Sequence, residues 1–199
     1  MFLRNVIDNY NEKNIKLYVD MDGVIADYDV GKASGYDTKR PLITSISKLE
    51  EISKLNNIDM YILSITKKDE GINQKHYWLD KYAPFFKKEK RIIISKESNE
   101  GFSSKELKAN YLVNVERNKN DIIMVIDDDP EIIKEIKNKN PDIILLKDTV
   151  LVDWGQMDRQ FVFLMVNKLS VHFYKLLIYF LNTFLHLLLI FLSLFHYNI

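Results

Sequence analysis

Ile15-Lys16-Leu17-Tyr18-Val19-Asp20-Met21-Asp22-Gly23 runs from an apolar segment straight into two acids on alternate positions, with a glycine behind them. The apolar run reads as a buried strand. Acids at its carboxyl end are a poor way to build a core. They are a good way to hold a hard cation and to attack a phosphorus atom. Val24-Ile25-Ala26-Asp27 then turns polar again.

Working outward, short apolar or β-branched runs recur at Leu17–Val19, Met60–Leu63, Ile92–Ile94, Ile122–Ile126 and Ile143–Leu146. Charged segments with helical spacing separate them. Ile43, Ile46, Leu49, Ile52 and Leu55 form one stripe, and Tyr77, Trp78, Tyr82 and Phe85 suggest a second helix ended near Pro84. Ser103-Ser104-Lys105-Glu106 has the form of a capping box, and Pro130-Glu131 opens a further helix with Asp129 as its N-cap. Strands alternating with helices predict an α/β fold, a Rossmann-like three-layer sandwich on a mainly parallel sheet. Ligands of such sheets bind at the carboxyl ends of strands. The residues there are Asp20 and Asp22, Ser64 and Thr66, Ser95, and Asp127 to Asp129.

The bulk numbers narrow the options. The chain has 199 residues, 47% of them hydrophobic, with 28 Lys+Arg against 28 Asp+Glu. A zero net charge gives no sign of a nucleic-acid binder working by bulk electrostatics. With no cysteine, disulfides, thiolate metal sites and a cysteine nucleophile are excluded. Met1 to Lys16 holds no continuous apolar segment, so a secretory signal is not expected.

Two carboxylate clusters at strand ends, about a hundred residues apart, would meet if those strands are neighbours. Asp often serves as a turn or cap residue, and a lone Asp-x-Asp would be read that way. Two clusters, each directly after an apolar run, point to a metal site. Oxygen ligands alone favour Mg²⁺.

Val19-Asp20-Met21-Asp22-Gly23-Val24-Ile25-Ala26-Asp27 resembles the first motif of the haloacid dehalogenase-like phosphohydrolase superfamily. Tyr61-Ile62-Leu63-Ser64 resembles its second motif and Val125-Ile126-Asp127-Asp128 its fourth. Within that superfamily the chain looks most like the 5′(3′)-deoxyribonucleotidase group, with Lys75-His76-Tyr77-Trp78-Leu79-Asp80-Lys81-Tyr82 as a supporting helix. The resemblance covers about Ile15 to Ile136.

The resemblance implies a Mg²⁺-dependent phosphomonoester hydrolase acting on a nucleotide or related phosphate ester. Asp20 would be the nucleophile and Asp22 the general acid, then the base for water. Asp20, the Asp22 backbone carbonyl and Asp128 would hold Mg²⁺, with Asp127 close by. Ser64 would hydrogen-bond a phosphoryl oxygen beside Gly23. The third motif should supply a Lys: Lys105 is the choice, with Lys108 and Lys96 as rivals. A polynucleotide-end phosphatase with an open site is the alternative, and a non-catalytic or membrane-associated regulatory protein that keeps the fold is another. A response-regulator receiver would place its acid pair first and a lone Asp later, the reverse of the order here. A glycosyltransferase Asp-x-Asp normally has a long region before it, whereas nineteen residues precede Asp20.

Only about forty residues separate Asp22 from Ser64, too few for the cap subdomain of the group resembled. A loop over Asp29 to Arg40 is expected instead, with Tyr36, Lys39 and Arg40 as candidate nucleotide contacts. A site without a cap calls for the substrate, a partner or a second copy of the chain to cover it.

The phosphohydrolase domain is expected over 1–157, with a different texture over 158–199. Leu176 to Ile199 holds no Asp, Glu, Lys or Arg, and roughly 20 such residues span a bilayer. Lys168, His172 and Lys175 precede the run. Three readings stand: a membrane anchor over about 176–195 with a cytoplasmic domain, a helix packing on the domain or on a second copy, or a non-native extension.

Overall fold

A computed structural model describes residues 2–28 and 35–151. The apolar tail lies outside the described residues. Among those residues no helix is long and apolar enough to cross a membrane.

Five strands form one sheet: β1 (Asn14–Val19), β2 (Ile58–Thr66), β3 (Arg91–Ser95), β4 (Asp121–Asp127) and β5 (Ile144–Lys147). Their order is β3-β2-β1-β4-β5, and every pairing is parallel. All five apolar runs of the sequence are strands. The helices are α1 (Phe2–Asp8), α2 (Ile43–Ile52), α3 (Glu70–Tyr82), α4 (Ser104–Val113) and α5 (Pro130–Lys139). One apolar core gathers Leu3, Leu49, Trp78 and Leu79 against the sheet; the other gathers Ala109, Leu112, Ile132 and Ile136. α1, α2 and α3 therefore cover one face, and α4 and α5 the other. β1 and β4 are thus buried on both sides, which explains their unbroken apolar runs.

The helix ends follow local chemistry. Ser103 and Glu106 form the reciprocal capping box at the start of α4. The Asp129 side chain accepts from the Glu131 N–H, with Pro130 behind it in the first turn of α5. α3 stops as the chain reaches Pro84, whose ring disfavours helical geometry at Ala83. The α2 stripe departs from expectation at its first residue. Ile46, Leu49 and Ile52 are buried, but Ile43 is 61% exposed. A strict three-residue spacing slips about 60° per step around a helix, so its two ends cannot both face the core. Tyr77 on α3 is likewise 62% exposed, while its neighbour Trp78 is sealed in.

The topology positions the acids. From β1 the chain first steps to β2 and β3, then crosses back to β4 on the opposite side. The carboxyl ends of β1 and β4 therefore sit at the switch point of the sheet, where a crevice forms. The Asp20 N–H donates to the Ile126 carbonyl at 2.9 Å, extending the ladder by one rung.

Candidate active site

That rung sets Asp20, after β1, beside Asp127, the last residue of β4. Oxygens of Asp20, Asp127 and Asp128 lie within 4.8 Å of one another. Lys108, reaching from α4, places its ammonium 2.9 Å from Asp20 and 2.7 Å from Asp127. Three carboxylates thus face one ammonium, an excess of two negative charges in a partly dry crevice. Burial and that excess act together on Asp127 and Asp128. Burial, then the Asp20 charge, pushes Asp127 up to about 7 despite Lys108. The same two causes push Asp128 up to about 6. Burial works against the Lys108 ammonium, but Asp20 and Asp127 overcome it and hold that group above its usual value. An all-oxygen donor set carrying this charge fits a divalent hard cation such as Mg²⁺.

Gly23 is required by the same geometry. Its φ is +83°, and a Cβ there would lie 2.1 Å from Asp128 Oδ2. Only a residue without a side chain lets the turn after β1 pass this close to the end of β4.

Asp22 does not join the triad. Its carboxylate accepts from Lys75 at 2.5 Å and from Lys39 at 2.8 Å. Burial alone would raise Asp22, yet the Lys75 charge and the two lysine hydrogen bonds bring it below its ordinary value. Lys75 comes from α3 and is fully buried; it also donates to Ser64 Oγ at 2.8 Å and to the Ile65 carbonyl at 2.9 Å. Ser64 is itself fully buried, accepts that bond and is not among the residues lining the cleft. Lys39 sits at the edge of the expected loop, where Trp78 Nε1 donates to its carbonyl at 2.8 Å. The Tyr36 ring stands 4.5 Å from the Lys75 ammonium. Gly71 on α3 makes room for that ring, since a Cβ there would lie 2.7 Å from it. Arg40 turns to Asp27 at 2.7 Å. Of the expected loop, residues 29–34 lie outside the described ones.

The structure separates the rival lysines. Lys105 pairs with Glu131 at 3.6 Å and its side chain is 42% exposed. Lys108, one turn further along α4, is the residue that meets the acids. Lys96 lines the outer cleft. Lys75 was not legible as a site residue from the motifs. A signal existed: Gly71, Lys75, Trp78 and Leu79 are the buried positions of α3 and share one face, so a lysine occupies an apolar stripe.

Asp20, Asp22, Lys39, Lys108 and Asp128 line one cleft of about 1180 Å³. A smaller cavity of about 590 Å³, against Tyr18, Tyr61 and Tyr111, shares no lining residue with it and contains no acid cluster.

No family profile matches the chain, and no curated protein matches it. Solved structures do resemble it. A chain in the structure of the Pnkp1/Rnl/Hen1 complex aligns with a TM-score of 0.54 at 12% identity, over 68% of this chain and 46% of that one. A chain of the Pnkp1/Rnl/Hen1 RNA repair complex gives 0.54 at 11%, over 68% and 42%. The HAD domain of effector protein Lem4 from Legionella pneumophila gives 0.47 at 17%, over 68% and 84%. The likeness to the first two shows the fold. The chain spans less than half the length of either.

Proposed function

We propose that this chain is a Mg²⁺-dependent phosphomonoester hydrolase of the haloacid dehalogenase-like type, acting through an aspartyl-phosphate on a nucleotide or related ester. One observation carries the reading: three carboxylates and one buried ammonium converge at the switch point of a parallel sheet. The fold shared with chains of the Pnkp1/Rnl/Hen1 structures supports it.

Asp20, Asp127 and Asp128 would hold the metal, which supplies positive charge against the phosphoryl oxygens and the anionic nucleophile. An Asp20 oxygen forms the bond to phosphorus while the bond from phosphorus to the ester oxygen breaks. Asp22 gives a proton to that departing oxygen. Water then attacks the phosphorus of the mixed anhydride, and Asp22 takes its proton. Inorganic phosphate leaves and Asp20 regains its carboxylate. Lys108, beside Asp20, offsets charge on the transferring group. Asp22 must gain a proton before it can give one, and two lysines hold it ionised. Lys39 is the partner at the cleft surface, and an incoming phosphoryl oxygen competes with Asp22 for it.

The test is a turnover assay on p-nitrophenyl phosphate and nucleoside monophosphates, with and without Mg²⁺. Turnover should require the metal, and Asp20→Asn should abolish it. Substantial activity in that variant would sink Asp20 as the nucleophile.

A further inference from the structure

We infer that the cleft takes the phosphorylated end of a single-stranded oligonucleotide, with the rest of the strand leaving over the carboxyl ends of β2 and β3. The inference rests on the phosphatase reading for where the terminal phosphate sits. The two walls of the cleft differ in charge. On the β4 side it is lined by Asp128 and Asp129. On the β2 and β3 side it is lined by Lys67, Lys68 and Lys96. The Lys96 N–H donates to the Thr66 carbonyl at 3.0 Å, so these lysines belong to one rim.

All three lysines are exposed, and none forms an ion pair among the described residues. The other lysines of the site, Lys39, Lys75 and Lys108, are all engaged by carboxylates. Two acids near the rim, Asp69 and Glu97, bridge the loops after β2 and β3 and do not line the cleft. The Glu97 carboxylate accepts the Asp69 N–H at 2.9 Å, and Asp69 accepts the Ser98 hydroxyl at 2.7 Å. Glu70 is the acid left on this wall. The chain as a whole is neutral, so this segregation is local.

Aromatic rings stand where the strand would pass. Tyr28 is 64% exposed and lines the cleft. Tyr36 is fixed in the wall, its N–H donating to Gln74 at 3.1 Å and its hydroxyl accepting the Lys67 N–H at 3.3 Å. The Lys39 ammonium lies 5.5 Å from one ring centre and 5.4 Å from the other. A rim of unpaired lysines beside an exposed aromatic face holds single strands by phosphate contacts and base stacking, without reading sequence. A mononucleotide has no second phosphate to reach the lysine rim.

The experiment uses the full chain and its Lys67→Ala/Lys68→Ala/Lys96→Ala variant. Substrates are a short 5′-phosphorylated single-stranded oligonucleotide, a nucleoside monophosphate and p-nitrophenyl phosphate. The ratio of kcat/KM for the oligonucleotide to that for p-nitrophenyl phosphate should fall about tenfold in the variant. Oligonucleotide binding, followed by fluorescence anisotropy in an Asp20→Asn background, should lose about 2 from its log–log salt slope. An unchanged ratio, or an oligonucleotide that binds no better than the monophosphate, would overturn the inference. If no substrate is turned over, the phosphatase reading fails and anisotropy still decides this one. Salt-dependent binding weakened in the lysine variant upholds it; absence of binding ends it.

Discussion

The Lys75 ammonium, sealed beneath α3, lies 2.5 Å from the Asp22 carboxylate, the closer of the two lysines that hold that acid. Burial drives the ammonium below its ordinary value, and the Asp22 and Asp20 charges offset part of that loss. Lys75→Met would leave Asp22 with Lys39 alone and Ser64 without its donor. Because Asp22 keeps 17% of its side chain in solvent, the cost should be smaller than for a fully buried pair, roughly 2 kcal/mol. Urea denaturation reads that loss. A variant as stable as the parent would show that the pair contributes nothing to folding. kcat should fall with it, since Asp22 loses the contact that fixes its rotamer.

Lys108 and Lys105 should separate cleanly in kinetics. Lys108→Ala removes the ammonium that Asp20 and Asp127 share, and kcat/KM on p-nitrophenyl phosphate should drop by roughly a thousandfold. Lys105→Ala removes an exposed ion pair with Glu131 and should stay within about twofold. The reverse order would place the phosphoryl-binding lysine at the start of α4.

Metal and pH should be linked in stability. Asp127 and Asp128 have folded-state values near 7 and 6, above their ordinary range. The folded protein therefore binds more protons than the unfolded chain between about pH 4 and 7. Their contribution to stability is full below the unfolded value and is lost as pH rises through the folded values. Without metal, Tm should fall as pH rises across that window. Mg²⁺ replaces the missing protons, so it should raise Tm more at pH 8 than at pH 5. At saturating excess the gain is roughly 2.7 kcal/mol for a hundredfold ratio of metal to Kd. A Mg²⁺ shift that is equal at both pH values would argue against a cation among these acids.

Gly23→Ala should damage the site beyond its effect on the fold. The φ of +83° costs an alanine about 1 kcal/mol, and its methyl would displace the Asp128 carboxylate. Differential scanning calorimetry should show a modest loss of stability. Isothermal titration should show Mg²⁺ binding weakened at least tenfold. Normal Mg²⁺ affinity would mean that Asp128 can move aside without consequence.

The sheet and its acids were legible because they depend on local chemistry. Five apolar runs, two proline signals and a capping box mark elements whatever surrounds them, and acids at strand ends have few other uses. The lysines were harder. Lys105 and Lys108 are three residues apart on α4, about 60° apart in azimuth and about 4.5 Å apart along the axis. Which of them meets Asp20 depends on how α4 turns and slides against the sheet, and that is set by the packing of Leu107, Ala109 and Leu112. Lys75 was hidden for a different reason. A lysine in a charged helix looks solvated until the rotation of that helix is known. Ile43 and Tyr77 erred in the other direction, as apolar residues that the helix turn carries into solvent.

The bond from the Asp20 N–H to the Ile126 carbonyl also bears on how the protein fluctuates. Exchange of a backbone amide with solvent deuterium needs its hydrogen bond to open. This one belongs to the central strand pair, the region of such a sheet that opens only with the whole molecule. The Lys39 amide, which bonds only to the Tyr36 carbonyl of its own turn, can open alone. Asp20 is thereby tied to the part of the sheet expected to exchange slowest, and Lys39, which pairs with Asp22, to a turn expected to exchange fast.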